Sequence, residues 1–145
     1  MIRVYLAGGL KTDWQQNVID AFADDREVEF LDPREVSPDG GGMLFLAAQV
    51  EREWLDRADI VFGYVEVANT VPIGLAAEFG YIAGKRRAMT GSAPTLILVN
   101  QLETRGMEWV AFFVQPDQYT TSLGRGLDLL RHAVEAHRPH QRKAA

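Results

Sequence analysis

The chain has 145 residues, 47% hydrophobic and 24% charged, a balance that suits one domain with a single core. Its formal net charge is −5 and no basic stripe precedes the last few residues, which speaks against a nucleic-acid polymer and for a small-molecule partner. There is no cysteine, hence no disulfide or thiolate chemistry, in keeping with a cytoplasmic protein; no apolar run approaches the ~20 residues that span a bilayer.

In chain order, "IRVYLA" (2–7) reads as a first strand, not a signal peptide, and breaks at Gly8-Gly9. A helix follows, with Thr12 as its expected N-cap, Gln15 at capping-box spacing, and Trp14, Val18, Ala21 and Phe22 on one apolar face. "EVEFL" (27–31) reads as a second strand, stopped by Asp32-Pro33, and "SPDGGG" (37–42) as a mobile loop. A helix over 43–57 leads into "DIVFGYV" (59–65), the strongest strand, and then into the helix of "VPIGLAAEFGYIAGK" (71–85). "TLILV" (95–99) has the continuous apolarity of a strand buried on both faces. Residues 106–114 fit helix or strand, and 118–121 a short edge strand. Ser122 should cap a last helix that buries Leu123, Leu127, Leu130 and Val134. One domain is expected over 1–136, with 137–145 as a flexible tail.

Alternating strands and helices predict an α/β fold, an open parallel sheet of five strands or so with helices on both faces. Ligands of such sheets bind at the carboxyl ends of the strands, so the loops at 7–13, 32–42, 66–74 and 99–107 matter most. The Gly8-Gly9 loop permits close backbone approach to a ligand, or is simply a tight turn; it lacks the dinucleotide fingerprint, and no P-loop motif occurs. His132, His137 and His140 all fall in the last helix and tail, so neither a Ser-His-Asp triad nor a histidine metal site is supported, and no metal or cofactor is expected. Chemistry, if present, falls to carboxylates.

Glu78 stands out as one acid in an otherwise small and apolar helix. With Gly74 opening the helix, Glu78 would lie near its first turn. It is then either a solvent-facing acid favoured by the helix dipole, or an ionised carboxylate aimed into a pocket and kept charged by that dipole. Gly74 and Gly80 bracket it and, with the neighbouring alanines, would let the helix pack closely on the sheet. Tyr5, Asp32, Arg34, Glu66 and Asn69 are placed at the same edge, with Glu51 before the third strand. Asp59, at the start of that strand, should be a structural cap at the far edge. Asp32-Pro33-Arg34 also fits a plain turn with a local ion pair.

"VYLAGGLKTDWQ", "FLDPRE", "WLDRADIVFGYVE" and "PIGLAAEFGYIAGK" occur in that order. Together they resemble the nucleoside 2-deoxyribosyltransferase family, above all its deoxyribosyltransferase-like branch. The Gly-x-x-x-Glu-x-Gly core, Gly74 to Gly80, is the most specific part. The resemblance implies a flavodoxin-like fold and cleavage of a deoxynucleoside's N-glycosidic bond. It assigns Glu78 as nucleophile through a covalent glycosyl-enzyme, Tyr5 as the group that orients it, and Glu51, where transferases often have Asp, as a contact to sugar or base. Gly8, Gly9, Asp32, Arg34, Asn69 and Gly74, from the same edge of the sheet, complete the substrate-binding candidates. Several transferases carry an Asp just before the glycine motif to handle the base; Pro72 and Ile73 stand there instead, and Asn69 is the substitute at hand. Relatives are homo-oligomers whose pocket is closed by a neighbour's loop, to which "GMEWV", with Met107 and Trp109, corresponds.

Two functional classes follow. One is an N-glycosidic transferase or hydrolase acting on a nucleoside or nucleotide, with Asp32, Glu51 and Glu66 as candidate proton donors. The other is a nucleotide-sensing module without turnover. A receiver-type domain ranks behind both, because the early acidic pair is missing. A 5′-phosphate could be met by Lys11, Arg34 and Gly40-Gly41-Gly42.

Overall fold

The structure, a computed structural model, describes residues 1–36, 44–67, 72–86, 93–101 and 107–142. Five strands, β1 (Ile2–Gly8), β2 (Val28–Leu31), β3 (Ile60–Val65), β4 (Thr95–Asn100) and β5 (Tyr119–Thr120), form one all-parallel sheet in the order β2-β1-β3-β4-β5. That is the order of flavodoxin-like doubly wound sheets, with its topological switch point between β1 and β3.

The period-two alternation of the strands sorts their side chains into two cores. Val4 and Leu6 of β1, with Ile60, Phe62 and Tyr64 of β3, pack on α1 (Trp14–Asp20) and α5 (Leu123–Arg142) through Trp14, Val18, Leu130 and Val134. Tyr5 and Ala7, with Val61 and Val65, face α2 (Leu44–Arg57), α3 (Ile73–Arg86) and α4 (Glu108–Ala111). Both faces of β3 and β4 are buried, as their unbroken apolar runs require. The ambiguous segment after β4 carries the short helix α4, and Ser122 Oγ accepts from Arg125 N at the start of α5.

Three expectations are corrected. The predicted capping box of α1 is not formed: Asp13 is the N-cap and makes no side-chain cap bond, while Thr12 and Gln15 bond elsewhere. Second, α5 runs past residue 136 to Arg142. It is held there by His137, 3.2 Å from Thr95 Oγ1, and by Arg138, which pairs with Asp25, Glu27 and Glu135.

Third, Gly74 and Gly80 are not what brings α3 close to the sheet. A Cβ at either position would meet nothing within 4 Å. The close approach comes from Gly63 of β3, where a Cβ would lie 2.7 Å from the Phe79 ring and 3.3 Å from Leu75. Phe79 is fully buried and cannot swing into solvent. Gly63→Ala is therefore expected to cost about 1–3 kcal/mol by overpacking, read as a lower denaturation midpoint at unchanged slope.

Candidate functional site

The site is built where β1, α2 and α3 meet. Tyr5 projects from β1 and is fully buried. Its hydroxyl donates to Glu78 Oε1 at 2.7 Å, joining two residues 73 positions apart. Glu78 lies in the second turn of α3, not the first, since the helix starts at Ile73. The residue as a whole keeps partial exposure, but its carboxylate end is enclosed: Oε2 is buried and has no hydrogen-bond partner among the described residues.

The electrostatics differ from the sequence expectation. Burial pushes the Glu78 carboxyl from 4.5 up to about 7; the Tyr5 hydrogen bond pulls it down and the Glu51 carboxylate adds to the rise. The helix dipole fades beyond the first turn, so at Glu78 desolvation prevails. Burial, followed by the charge and hydrogen bond of Glu78, raises the Tyr5 phenol far above its usual range, so it stays a donor. Glu51 acts electrostatically on both Tyr5 and Glu78, and Asp32 on Tyr5. Glu51 is itself raised by burial.

The remaining predicted residues take definite places. Asp32 is buried and caps the 3-10 turn Pro33–Glu35, accepting from Arg34 N at 3.0 Å and Arg34 Nε at 2.8 Å. The Asp32–Arg34 ion pair expected of that turn is thus present. Gly8 has φ +155°, and a Cβ there would stand 2.5 Å from the Tyr64 carbonyl oxygen. Gly9 O accepts from both Trp14 Nε1 at 2.8 Å and Gln15 Nε2 at 2.9 Å. Glu66, 2% exposed just beyond β3, accepts from Thr12 Oγ1 and from Lys11 N at 3.4 Å. Gly74 lies exposed in the first turn of α3. Asn69 and Gly40-Gly41-Gly42 lie outside the described residues.

Asp59 Oδ2 accepts from Arg3 N at 2.8 Å at the opposite edge, as a structural cap should. Of the "GMEWV" pair, Met107 is packed in the core and cannot reach a neighbour, whereas Trp109 is 76% exposed. His132 bonds its own helix at Asp128 O, and no cluster able to hold a metal occurs among the described residues. A groove of about 700 Å³ lies at the amino edge, beside Phe22, Arg131 and Arg138. It does not include Glu78, and Arg138 within it is committed to ion pairs. The Tyr5–Glu78 pair lies at the other edge. What sequence reasoning missed is the bracing of the β1–α1 loop by Trp14, Gln15 and Glu66: Gln15 sits beside the apolar stripe and carries no periodic signal.

The model of a family described as nucleoside 2-deoxyribosyltransferase like matches residues 1–95. The chain belongs to that family. The matched span holds the Tyr5–Glu78 pair, Glu51, Asp32 and Glu66, which is every part of the site just described. A solved structure described as a conserved protein from Enterococcus faecalis V583 is similar in fold, with a TM-score of 0.67 at 12% identity, covering 91% of this chain and 98% of that one. No functionally curated protein matches the chain in sequence. For this deoxyribosyltransferase-like chain, then, the family is settled by its model and the fold by its sheet.

Proposed function

We propose that the protein cleaves the N-glycosidic bond of a deoxynucleoside through a covalent glycosyl-enzyme on Glu78. The observation that carries this is the division of labour within one carboxylate: Oε1 accepts from Tyr5, while Oε2 is buried and has no partner among the described residues. A buried polar atom without a partner is costly unless a ligand completes it. A carboxylate next to an anomeric carbon stabilises oxocarbenium charge and can bond to it, as in retaining glycosidases.

In the first step the C1′–N bond breaks, its electron pair leaving with the base, and Glu78 Oε2 bonds to C1′. Tyr5 stays protonated and holds Oε1, leaving the other oxygen free to attack. Glu51 is the best-placed proton source for the departing base: burial raises its carboxyl, whereas Asp32 is committed to Arg34 and Glu66 to Thr12. In the second step water or another nucleobase attacks C1′ and frees the Glu78 carboxylate; the attacking oxygen or nitrogen stays on C1′, and its proton passes to the Glu51 carboxylate that the first step left ionised. General acid assistance is typically worth ~10²–10⁴-fold.

A homo-oligomer fits the exposed Trp109 and Phe112, and a cytoplasmic setting fits the absence of cysteine. One observation favours a nucleoside-binding module without turnover: Pro72 and Ile73 supply no carboxylate before the glycine motif, and Ile73 is 71% exposed. One experiment separates the two. The protein is incubated with the four common 2′-deoxynucleosides, quenched in acid, digested and weighed. Free base, together with a deoxyribosyl mass on the peptide containing Glu78, supports the enzyme. Binding without base release supports the module.

A further inference from the structure

We propose that Glu66 makes the site select an unphosphorylated nucleoside over its 5′-monophosphate, by filling the anion position of the β1–α1 loop with a carboxylate of the protein itself. This rests on the nucleoside reading above.

A glycine turn after the first strand of a doubly wound sheet ordinarily offers its amides and hydroxyls to a phosphate. Here two of those donors are already taken. Lys11 N and Thr12 Oγ1, the amide and hydroxyl that follow the turn, both point at Glu66, which is 2% exposed. Gly9 O is tied back to Trp14 and Gln15, and Gly8 is pressed against the Tyr64 carbonyl, so the loop is not free to open around a second anion. Among the described residues no cation pairs with Glu66.

The electrostatics of the edge act in the same direction. A ligand that reaches Glu78 Oε2 enters the field of Glu51, which acts on both Glu78 and Tyr5, and of Asp32, which acts on Tyr5. Arg34 is committed to Asp32. A phosphate dianion brought near these carboxylates is repelled by them, and a neutral nucleoside is not; the Lys11 ammonium of the same loop is exposed to solvent.

The test measures affinity, not turnover. The four common deoxynucleosides and their 5′-monophosphates are titrated calorimetrically into the wild type, Glu66→Gln and Thr12→Val. The wild type should bind the best nucleoside at least about tenfold more tightly than its monophosphate, and higher salt should narrow that ratio by screening. Glu66→Gln removes the charge while keeping an acceptor for the loop, and should bring the two within about threefold. Thr12→Val loosens the loop but keeps the charge, and should leave the ratio near that of the wild type. A wild type that prefers the monophosphate overturns the proposal, as does a ratio unmoved by both Glu66→Gln and salt. No binding of either ligand overturns it together with the nucleoside reading. The expected ratio without base release overturns only the catalytic reading.

Discussion

Glu78→Gln is expected to lower base release from the best deoxynucleoside by at least about 10³-fold, with KM changed little. Glutamine keeps the shape of the side chain and still offers Tyr5 an acceptor at Oε1. It replaces the atom that bonds to C1′ with an amide nitrogen that cannot. The loss should therefore fall on kcat, and no glycosyl adduct should form. Undiminished base release in the variant would sink the covalent mechanism. The wild-type pH profile supplies a second readout. The attacking form of Glu78 is the ionised one, and its carboxyl sits at about 7. Because the departing base also takes a proton from Glu51, kcat/KM should rise with pH toward about 7, pass through a maximum and fall again as Glu51 loses its proton. A profile flat from pH 5 to 8 would assign the rate to another group.

Much of this site is legible in the sequence, and its errors have physical causes. The sheet could be read because β3 and β4 are buried on both faces and must be apolar throughout. The Tyr5–Glu78 pair spans 73 positions and has no local signature; the order of the motifs links the two residues where periodicity does not. The charge state of Glu78 is misjudged by one helical turn. Placed in the first turn it would be held ionised by the dipole; in the second turn, with its carboxylate enclosed, burial governs. Thr12 is misread for a related reason. Its spacing to Gln15 matches a capping box, but a hydroxyl beside a buried carboxylate 54 residues away gains more from that charged acceptor than from a backbone amide. The glycines of α3 suggest close packing, yet the contact is made by a glycine on the opposing strand, a choice two sequences apart in the fold could equally make.

The stability of Glu78→Gln relative to the wild type should depend strongly on pH, growing by about 3 kcal/mol between pH 4 and pH 8. In the unfolded chain Glu78 titrates near 4.5, and in the native protein near 7. Below 4.5 both states hold the proton and the group is neutral in each. Between 4.5 and 7 the unfolded chain ionises freely while the native protein keeps its proton, so the native state loses ground as pH rises. Above 7 the native carboxylate is ionised too and the loss is complete. Glutamine has no such titration, so the variant escapes it. Urea unfolding of both proteins at pH 4, 6 and 8 would trace this curve. A difference that stays constant with pH would mean that the Glu78 carboxylate is solvated in the native state, and the case for Oε2 as an enclosed nucleophile would fall with it. The expected outcome, a variant that gains stability as it loses chemistry, is the signature of a charge held in a buried site for reaction at a cost to the fold.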